Sequence, residues 1–194
     1  MEPEQLVVKP VTIAEWPDMQ ALFTATPSWG CWCMYWRGSR ADFKQQKAAG
    51  HKAAMEKIIQ NGTVPGLLAY RAGAPVGWVS VGPRSDYIAL ENSRVLKRID
   101  AQPVWSIVCF LAARSERGKG ILSSLITAAV EYAAGHGAAI VEAYPYIPQE
   151  GRVKNLNDYM GVLPTYLKVG FSEIARPSAT RAVVRYLVNQ PEEN

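Results

Sequence analysis

The sequence predicts a single mixed domain of the α/β or α+β class, and three observations lead to this prediction. The chain has 194 residues, of which 48% are hydrophobic and 20% are charged, so it can bury one sizeable core without a disulfide or a metal. Segments with the two-residue period of strands alternate with segments of helical period, and there is no internal repeat or linker. The most regular part, residues 105–144, has the order strand, glycine loop, helix, strand.

The first third of the chain predicts one strand and two helices around an aromatic segment. Residues 5–12 favour a short strand, and apolar residues at helical spacing predict a helix over 13–25. Residues 29–36, WGCWCMYW, are too rich in aromatic side chains for a solvent-exposed loop. A start signal at residues 39–42 and a stop signal at Asn61-Gly62 predict one helix from residue 39 to about residue 60.

The middle of the chain predicts a hairpin followed by a buried strand. The strands GLLAY and PVGWVSVG flank a turn at residues 71–73, and an irregular stretch follows at 83–103. Residues 105–112, WSIVCFLA, are nearly all apolar, which is typical of a central strand covered on both faces. The elements predicted after this strand are a polar turn (114–120), an amphipathic helix from residue 121 to Gly135 or Gly137, a strand (138–144), a polar loop (145–157), a short helix (162–169) that ends at Gly170, and two strands (171–175 and 182–188).

Composition and charge exclude several classes of protein. The longest nearly apolar run, residues 105–113, is far shorter than the ~18 to 20 residues that cross a bilayer, and the N-terminus has no secretory-signal pattern. The three cysteines, Cys31, Cys33 and Cys109, are typical of a reducing compartment, so we expect a cytoplasmic protein. Zinc usually takes four Cys or His ligands, and besides these cysteines the chain has only two histidines, so we expect no metal. The net charge of +4 suits an anionic small molecule at least as well as a nucleic acid.

The glycine loop at residues 114–120 carries the main functional signal. Gly118 and Gly120 let the backbone turn tightly and approach a ligand. The first amides of the following helix have no intrahelical partners, so they form an anion site with the helix dipole, and Arg117 and Lys119 add positive charge. The spacing matches neither a Walker A loop nor the dinucleotide motif G-x-G-x-x-G. These residues therefore indicate a pyrophosphate site, or else a plain turn from strand to helix.

Two motifs resemble those of the GNAT superfamily, the acetyl-CoA-dependent N-acyltransferases. Residues 117–122, RGKGIL, are similar to the pyrophosphate motif Gln/Arg-x-x-Gly-x-Gly/Ala, with a departure at its sixth position, Leu122. Residues 166–171, YLKVGF, resemble the family's Tyr-x-x-x-Gly-Phe. The order of elements over 5–188 is also similar. The aromatic segment and the central strand further resemble a broad bacterial group of GNAT proteins whose substrates are mostly unassigned.

The resemblance implies a fold and a co-substrate. Residues 1–194 would form one acyl-CoA N-acyltransferase domain with a mixed, mainly antiparallel central sheet flanked by helices. The two strands around the cofactor-loop helix would splay apart. Acetyl-CoA would be the co-substrate, without a metal. The residues that would bind it are Val108, Phe110, Arg117, Gly118, Lys119, Gly120, Ile121 and Leu122.

The resemblance also implies direct transfer to an amine. Backbone N–H groups at the strand end would polarise the thioester carbonyl, and Tyr166 would protonate the departing thiolate. A tyrosine pKa near 10 is compatible with this role, because the conjugate thiol has a pKa of about 8.5. Two features depart from the family pattern around Tyr166. Tyr159 stands where the family often has Asn, and Pro164 should delay or kink the helix.

The general base is left open by the sequence. Glu142, Asp86 and Glu91 are candidates, although each is more typical of a structural or surface carboxylate. An ordered water is the alternative. His51 and His136 are expected on helix surfaces, so neither is favoured.

Aromatic residues are the candidates for binding the acceptor. Trp32, Tyr35, Trp36 and Trp105 could pack an apolar or cationic group, or could form a small accessory core. The function that these features favour is N-acetylation of a primary amine on a small molecule or a peptide-like acceptor. The alternatives are a non-catalytic acyl-CoA-binding regulatory domain and an acetyltransferase acting on protein or aminoacyl-tRNA. We expect no nucleic-acid-binding surface and no membrane partner, and a homodimer is left open.

Overall fold

A computed structural model describes residues 6–26, 30–116, 118–149 and 159–188. Its sheet has seven strands in the order β1-β2-β3-β4-β5-β7-β6, and every neighbouring pair is antiparallel except β4–β5. The strands are β1 (Val7–Pro10), β2 (Gly66–Arg71), β3 (Ala74–Pro83), β4 (Trp105–Ala112), β5 (Ile140–Ala143), β6 (Ser172–Ser178) and β7 (Arg181–Leu187). The mixed, mainly antiparallel sheet that we expected is confirmed.

Helices cover both faces of the sheet, and each face buries its own apolar cluster. The helices are α1 (Trp16–Ala25), α2 (Arg40–Gln45), α3 (Ala48–Gln60), α4 (Ile88–Glu91), α5 (Ile121–Ala134) and α6 (Leu163–Val169). Side chains of α1, α3 and the aromatic segment pack on one face, which we call the α1 face. Side chains of α5 and α6 pack on the other, the α5 face. Because β4 lies between these two clusters, its side chains are apolar on both sides, as predicted.

The central strands β4 and β5 run together for only three residue pairs. They pair in parallel from Trp105–Val141 to Ile107–Ala143. Beyond that point β5 has ended, whereas β4 continues to Ala112 and stays paired with β3 on its other side. The edge of β4 from Val108 onward therefore has no β5 partner, which confirms the splay between these strands.

The single helix predicted over residues 39–60 is wrong, because the chain forms two helices there. Ser39 caps α2 as predicted, since its hydroxyl accepts the N–H of Asp42 at 3.1 Å. The backbone is then extended at Gln46 and Lys47, with ψ angles of 136° and 176°. This break separates α2 from α3 and allows α3 to turn back toward α2.

The break explains why His51 is buried instead of lying on the helix surface as expected. Its ring stacks on Phe43 of α2, with ring centroids 4.3 Å apart. Its two nitrogens lie 2.9 Å from the carbonyl of Gly30 and 3.1 Å from that of Phe43. The imidazole thus ties α3 to the aromatic segment. His136, by contrast, is exposed as expected.

None of the described helices combines the length and the apolar character needed to span a membrane. The described residues also contain no group of three or more His, Cys, Asp or Glu side chains placed to hold a metal ion.

Candidate active site

The glycine loop lies directly beyond the open edge of β4. After a short 3-10 helix (Arg114–Glu116), Gly118 and Gly120 adopt left-handed φ angles of +80° and +79°. Among the described residues, no atom beyond the adjacent ones in the chain lies within 4 Å of where a side chain would begin at either position, so the backbone angle favours glycine. Helix α5 starts at Ile121, and its first two amides, those of Ile121 and Leu122, have no acceptor inside the helix, whereas the N–H of Ser123 donates to the carbonyl of Gly120 at 3.0 Å. Lys119 is exposed beside them, and Arg117 lies outside the described residues.

The same loop carries a buried carboxylate that sequence reasoning missed. Glu116 is 3% exposed and accepts hydrogen bonds from Nε and Nη2 of Arg71, at 3.0 and 2.9 Å. Its other oxygen lies 3.5 Å from Nζ of Lys119. The hydrogen bond from Arg71 lowers the pKa of Glu116. The ion pair ties the loop to the end of β2, and no local pattern reveals it because the partners are 45 residues apart.

A short stretch of chain lies in the splay itself. Tyr159, Met160 and Gly161, which we call the 159–161 segment, run between β4 and the residues that follow β5. The N–H of Phe110 donates to the carbonyl of Tyr159 at 2.6 Å, and the N–H of Tyr146 donates to that of Gly161 at 2.9 Å. The segment therefore occupies the edge of β4 at Phe110, one of the residues that the resemblance assigns to acetyl-CoA.

Tyr166 lies behind this segment and is fully buried. Its hydroxyl donates to the carbonyl of Met160 at 3.1 Å. Its ring packs against Phe171 and Phe110, with centroids 5.1 and 6.3 Å away. Burial raises the pKa of Tyr166 well above its usual value. The phenol thus remains protonated, with its proton directed at the 159–161 segment.

Pro164 determines where α6 begins. The helix starts at Leu163 with Pro164 in its first turn, and Val162 is extended with φ −114° and ψ 144°. Proline is tolerated in a first turn but not further inside a helix, so α6 does not continue upstream. The expected late start of this helix is confirmed. The residues before Val162 therefore lie outside the helix, where the carbonyl of Tyr159 can accept the N–H of Phe110.

Several of the predicted co-substrate residues meet around Gly161. A Cβ at Gly161, whose φ is +78°, would lie 3.0 Å from the ring of Tyr166 and 3.5 Å from both Phe110 and Leu122. Ile121 is buried, and its side chain covers Gly77 of β3. The side chain of Val108 points into the core of the α1 face, so only its backbone faces the splay.

The aromatic segment contributes mostly core. Trp32 is buried and stacks on Phe23 of α1 with centroids 5.0 Å apart, and Trp36 is buried against the edge of Tyr35 at 4.9 Å. Tyr35 is half-buried, and its ring lies 6.5 Å from that of Tyr159. Among these residues, Tyr35 is the one that contacts the 159–161 segment.

Trp105 lies away from this group. It packs on the α5 face against Tyr132 and His136, with centroids 6.0 and 5.7 Å away. It also sits at the start of β4, where the strand is still paired with β5. The structure therefore does not bring Trp105 to the splay.

Two of the three carboxylates considered as bases, Glu142 and Glu91, are held in ion pairs, and the third, Asp86, is half-buried after β3. Glu142 is 1% exposed, and Arg84 and Arg185 donate to its two oxygens at 2.9 and 2.8 Å. The carboxylate of Glu91 accepts hydrogen bonds from the guanidinium groups of Arg84 and Arg98, at 3.1 and 2.8 Å. These contacts are typical of a structural network between the sheet and the segment before β4.

Comparisons with known proteins agree with this geometry. A family model described as the acetyltransferase (GNAT) family matches residues 19–154. No curated protein matches the sequence.

Many solved structures share the fold. A GNAT-family acetyltransferase from Streptococcus agalactiae is 13% identical with a TM-score of 0.57, over 98% of this chain and 99% of that one. Agmatine N-acetyltransferase is 13% identical with a TM-score of 0.58, over 94% and 99%. The PaiA N-acetyltransferase of Thermoplasma acidophilum, solved with coenzyme A, is 12% identical with a TM-score of 0.53, over 95% and 99%. At these identities the likeness shows the fold alone.

Proposed function

The chain belongs to the GNAT family of acetyltransferases and is an acyltransferase, and on this premise we propose that it transfers the acetyl group of acetyl-CoA directly to a primary amine. The acceptor that we propose is a small molecule or a peptide-like amine, and residues 1–194 act as one domain. The observation that carries the proposal is the β4–β5 splay. There the N–H of Phe110 faces the splay, its ring packs against that of Tyr166, and β4 leads into the glycine loop.

The described residues suit a long, phosphorylated thioester at two places. The amides of Gly118 and of residues 120–122 offer donors to a pyrophosphate, whereas the N–H of Lys119 already donates to the carbonyl of Glu116 at 3.2 Å. The exposed side chain of Lys119 offers positive charge, and Arg117 adds a further cation. The edge of β4 at Val108 and Phe110 has no β5 partner, and it would offer backbone groups to an extended arm once the 159–161 segment moves away from it. Acetyl-CoA supplies the activated acyl carbon that an amine attacks.

Phe110 is the proposed donor to the acyl oxygen. As negative charge develops on that oxygen, a fixed backbone N–H stabilises it more strongly than it stabilises the neutral carbonyl. In the structure this N–H already donates to Tyr159. Because one N–H makes one strong hydrogen bond, the carbonyl of Tyr159 must move away before Phe110 can serve the reaction.

Tyr166 is the proposed acid for the departing thiolate. Its hydroxyl now donates to Met160, so the same movement of the 159–161 segment would release both donors. The raised pKa keeps the phenol protonated, but it also opposes proton donation. We therefore infer that release of the segment brings polar surroundings to Tyr166, which lowers this pKa toward that of the thiolate.

The acceptor would enter on the α1 face, next to Tyr35. The half-buried ring of Tyr35 is available to an apolar or cationic group of the acceptor. Glu142 and Glu91 are held by arginines, so we propose that water takes the proton of the attacking amine.

A thiol-release assay with acetyl-CoA tests the proposal. The panel comprises diamines and polyamines, aminoglycosides, amino acids, peptides with a free N-terminus and aminoacyl-tRNA, and acetyl-CoA binding is measured separately by calorimetry. We expect binding, together with turnover on one class of small or peptide-like amine. Binding without turnover on any class would favour the non-catalytic alternative, and absence of binding would overturn the site.

A further inference from the structure

All three cysteines of the chain come together beside Phe110. The sulfur of Cys33 in the aromatic segment lies 3.0 Å from that of Cys109, although 76 residues separate them in sequence. The sulfur of Cys31 accepts the N–H of Cys33 at 3.3 Å. Cys109 directly precedes Phe110 on β4. The proposed acetyl transfer uses none of these thiols.

The backbone around Cys33 is held in an unfavourable conformation. Trp32 and Cys33 have φ angles of +45° and +55°, in the left-handed region that residues other than glycine rarely occupy. Nε1 of Trp78 donates to the sulfur of Cys33 at 3.1 Å, and Trp32 stacks on Phe23. Strained residues of this kind persist where the surrounding structure fixes them, often at functional positions. Here the strain places the Cys33 sulfur against Cys109.

We propose that Cys33 and Cys109 form a site of reversible oxidation, at which a peroxide converts the two thiols into a disulfide that joins the aromatic segment to β4. Both S–H bonds are lost and one S–S bond forms. The two electrons and two protons reduce the O–O bond of the peroxide, so that hydrogen peroxide leaves as two water molecules. A dithiol reductant reverses the step. The sulfurs need to approach by only about 1 Å to reach the bond length of a disulfide.

The chemistry of the pair suits a slow, conditional reaction. Cys33 and Cys109 are both buried, and burial raises the pKa of Cys33, which disfavours its thiolate and slows its attack on a peroxide. The disulfide would fix Cys109, and with it Phe110, to the aromatic segment. Since Phe110 must exchange its hydrogen-bond partner in the proposed function, on which this consequence rests, the disulfide should slow acetyl transfer.

Three single substitutions test the pairing, because each leaves one pair of cysteines. Cys31→Ser leaves Cys33 with Cys109, Cys33→Ser leaves Cys31 with Cys109, and Cys109→Ser leaves Cys31 with Cys33. The native proteins are treated with hydrogen peroxide, and intact mass and peptide maps are recorded without reduction. We expect the wild type and Cys31→Ser to lose two hydrogen atoms and to show a peptide that contains Cys109 joined to one that contains Cys33.

Two controls keep the result decisive. The positive result is read on Cys31→Ser, so it does not depend on whether the other variants fold. The wild type oxidised in denaturant should not join Cys109, because closing so long a loop is entropically unfavourable. A disulfide in Cys33→Ser or Cys109→Ser but none in native Cys31→Ser would overturn the proposal.

The effect on the reaction is measured with an amine that the reduced wild type accepts. Turnover of the oxidised protein should fall severalfold and return with dithiothreitol, while Cys109→Ser should be insensitive to peroxide. Unchanged turnover of fully oxidised protein would overturn the coupling to acetyl transfer. If the reduced protein has no turnover at all, the proposed function has failed, and the mass measurement still decides the disulfide.

Discussion

The N–H of Phe110 donates to the carbonyl of Tyr159 at 2.6 Å, across the splay between β4 and β5. The next carbonyl along the chain, that of Met160, accepts the hydroxyl of Tyr166. One three-residue segment therefore engages both groups that the proposed reaction requires as donors. Binding of acetyl-CoA and release of the 159–161 segment must then be coupled, because they compete for the same strand edge.

Gly161→Ala should strengthen acetyl-CoA binding. An L-residue at the left-handed φ of +78° costs roughly 1–2 kcal/mol, and the new Cβ would lie 3.0 Å from the ring of Tyr166. Both effects destabilise the docked segment, so the binding-competent state becomes more populated and calorimetry should show roughly 5- to 30-fold tighter binding.

The matched control for this substitution is Gly137→Ala. Gly137 has a φ of +79°, and apart from its chain neighbours no described residue has an atom within 4 Å of a new Cβ there. It follows α5, far along the chain from the 159–161 segment. Gly137→Ala should lower Tm, because it has the same unfavourable backbone conformation, and should leave acetyl-CoA binding unchanged. Weaker binding by Gly161→Ala with full retention of fold would contradict the competition between segment and co-substrate.

Tyr166→Phe should reduce turnover much more than it reduces acetyl-CoA affinity. Loss of a general acid typically lowers the rate roughly 10²-fold or more, whereas the ring packing against Phe171 is retained. Because the pKa of Tyr166 is raised while the 159–161 segment is docked, kcat/KM, which reports the free enzyme, should show no alkaline loss from its ionisation below about pH 10. Steady-state kinetics across pH measure both points, with Tyr132→Phe, beside Trp105 and away from the splay, as control. Turnover that Tyr166→Phe leaves intact would remove the acid assignment.

Local sequence patterns predicted the elements that local physics controls. The apolar run of β4, the glycines at 118 and 120 and the first-turn Pro164 each determine a strand, a loop or a helix start within a few residues. Contacts across long sequence separations could not be predicted in this way. The Glu116–Arg71 ion pair and the Cys33–Cys109 contact depend on the register of the sheet and on how the aromatic segment packs.

The break between α2 and α3 could not be predicted for the same reason, because it too depends on a tertiary contact. A good start signal at residue 39 and a good stop signal at residue 61 are compatible with one continuous helix. What favours the break at Gln46 and Lys47 is a tertiary contact, the burial of His51 between two backbone carbonyls. The sequence shows the histidine but not the carbonyls that it will meet.

Gly120→Val should weaken acetyl-CoA binding. Gly120 precedes α5 at a φ of +79°, and a branched side chain there forces the loop out of the conformation that presents the first-turn amides. We expect roughly tenfold weaker binding, in line with about 1–2 kcal/mol of backbone cost. Calorimetry on Gly137→Val provides the comparison at an equivalent backbone angle. Normal affinity of the folded Gly120→Val protein would count against the loop as the pyrophosphate site.

Glu116→Gln should loosen the glycine loop and should do so in a pH-dependent manner. In the wild type the hydrogen bond from Arg71 lowers the pKa of Glu116 below its ordinary value of 4.5. A lowered pKa means that the carboxylate stabilises the folded state above pH 4.5 and that this stabilisation is lost as the pH falls through the lower, folded-state pKa. The Tm difference between wild type and variant should therefore be greatest near neutral pH and should shrink in acid.

The companion measurement is acetyl-CoA affinity at neutral pH, which should fall in Glu116→Gln even though the substitution makes the loop more positive. An electrostatic attraction alone would predict the opposite sign, since removing a carboxylate beside Lys119 favours an anion. The exposed Glu131→Gln on α5 loses the same charge without an ion pair to the loop and serves as the control. Tighter binding by Glu116→Gln would mean that the carboxylate acts through its charge and not by holding the loop against Arg71.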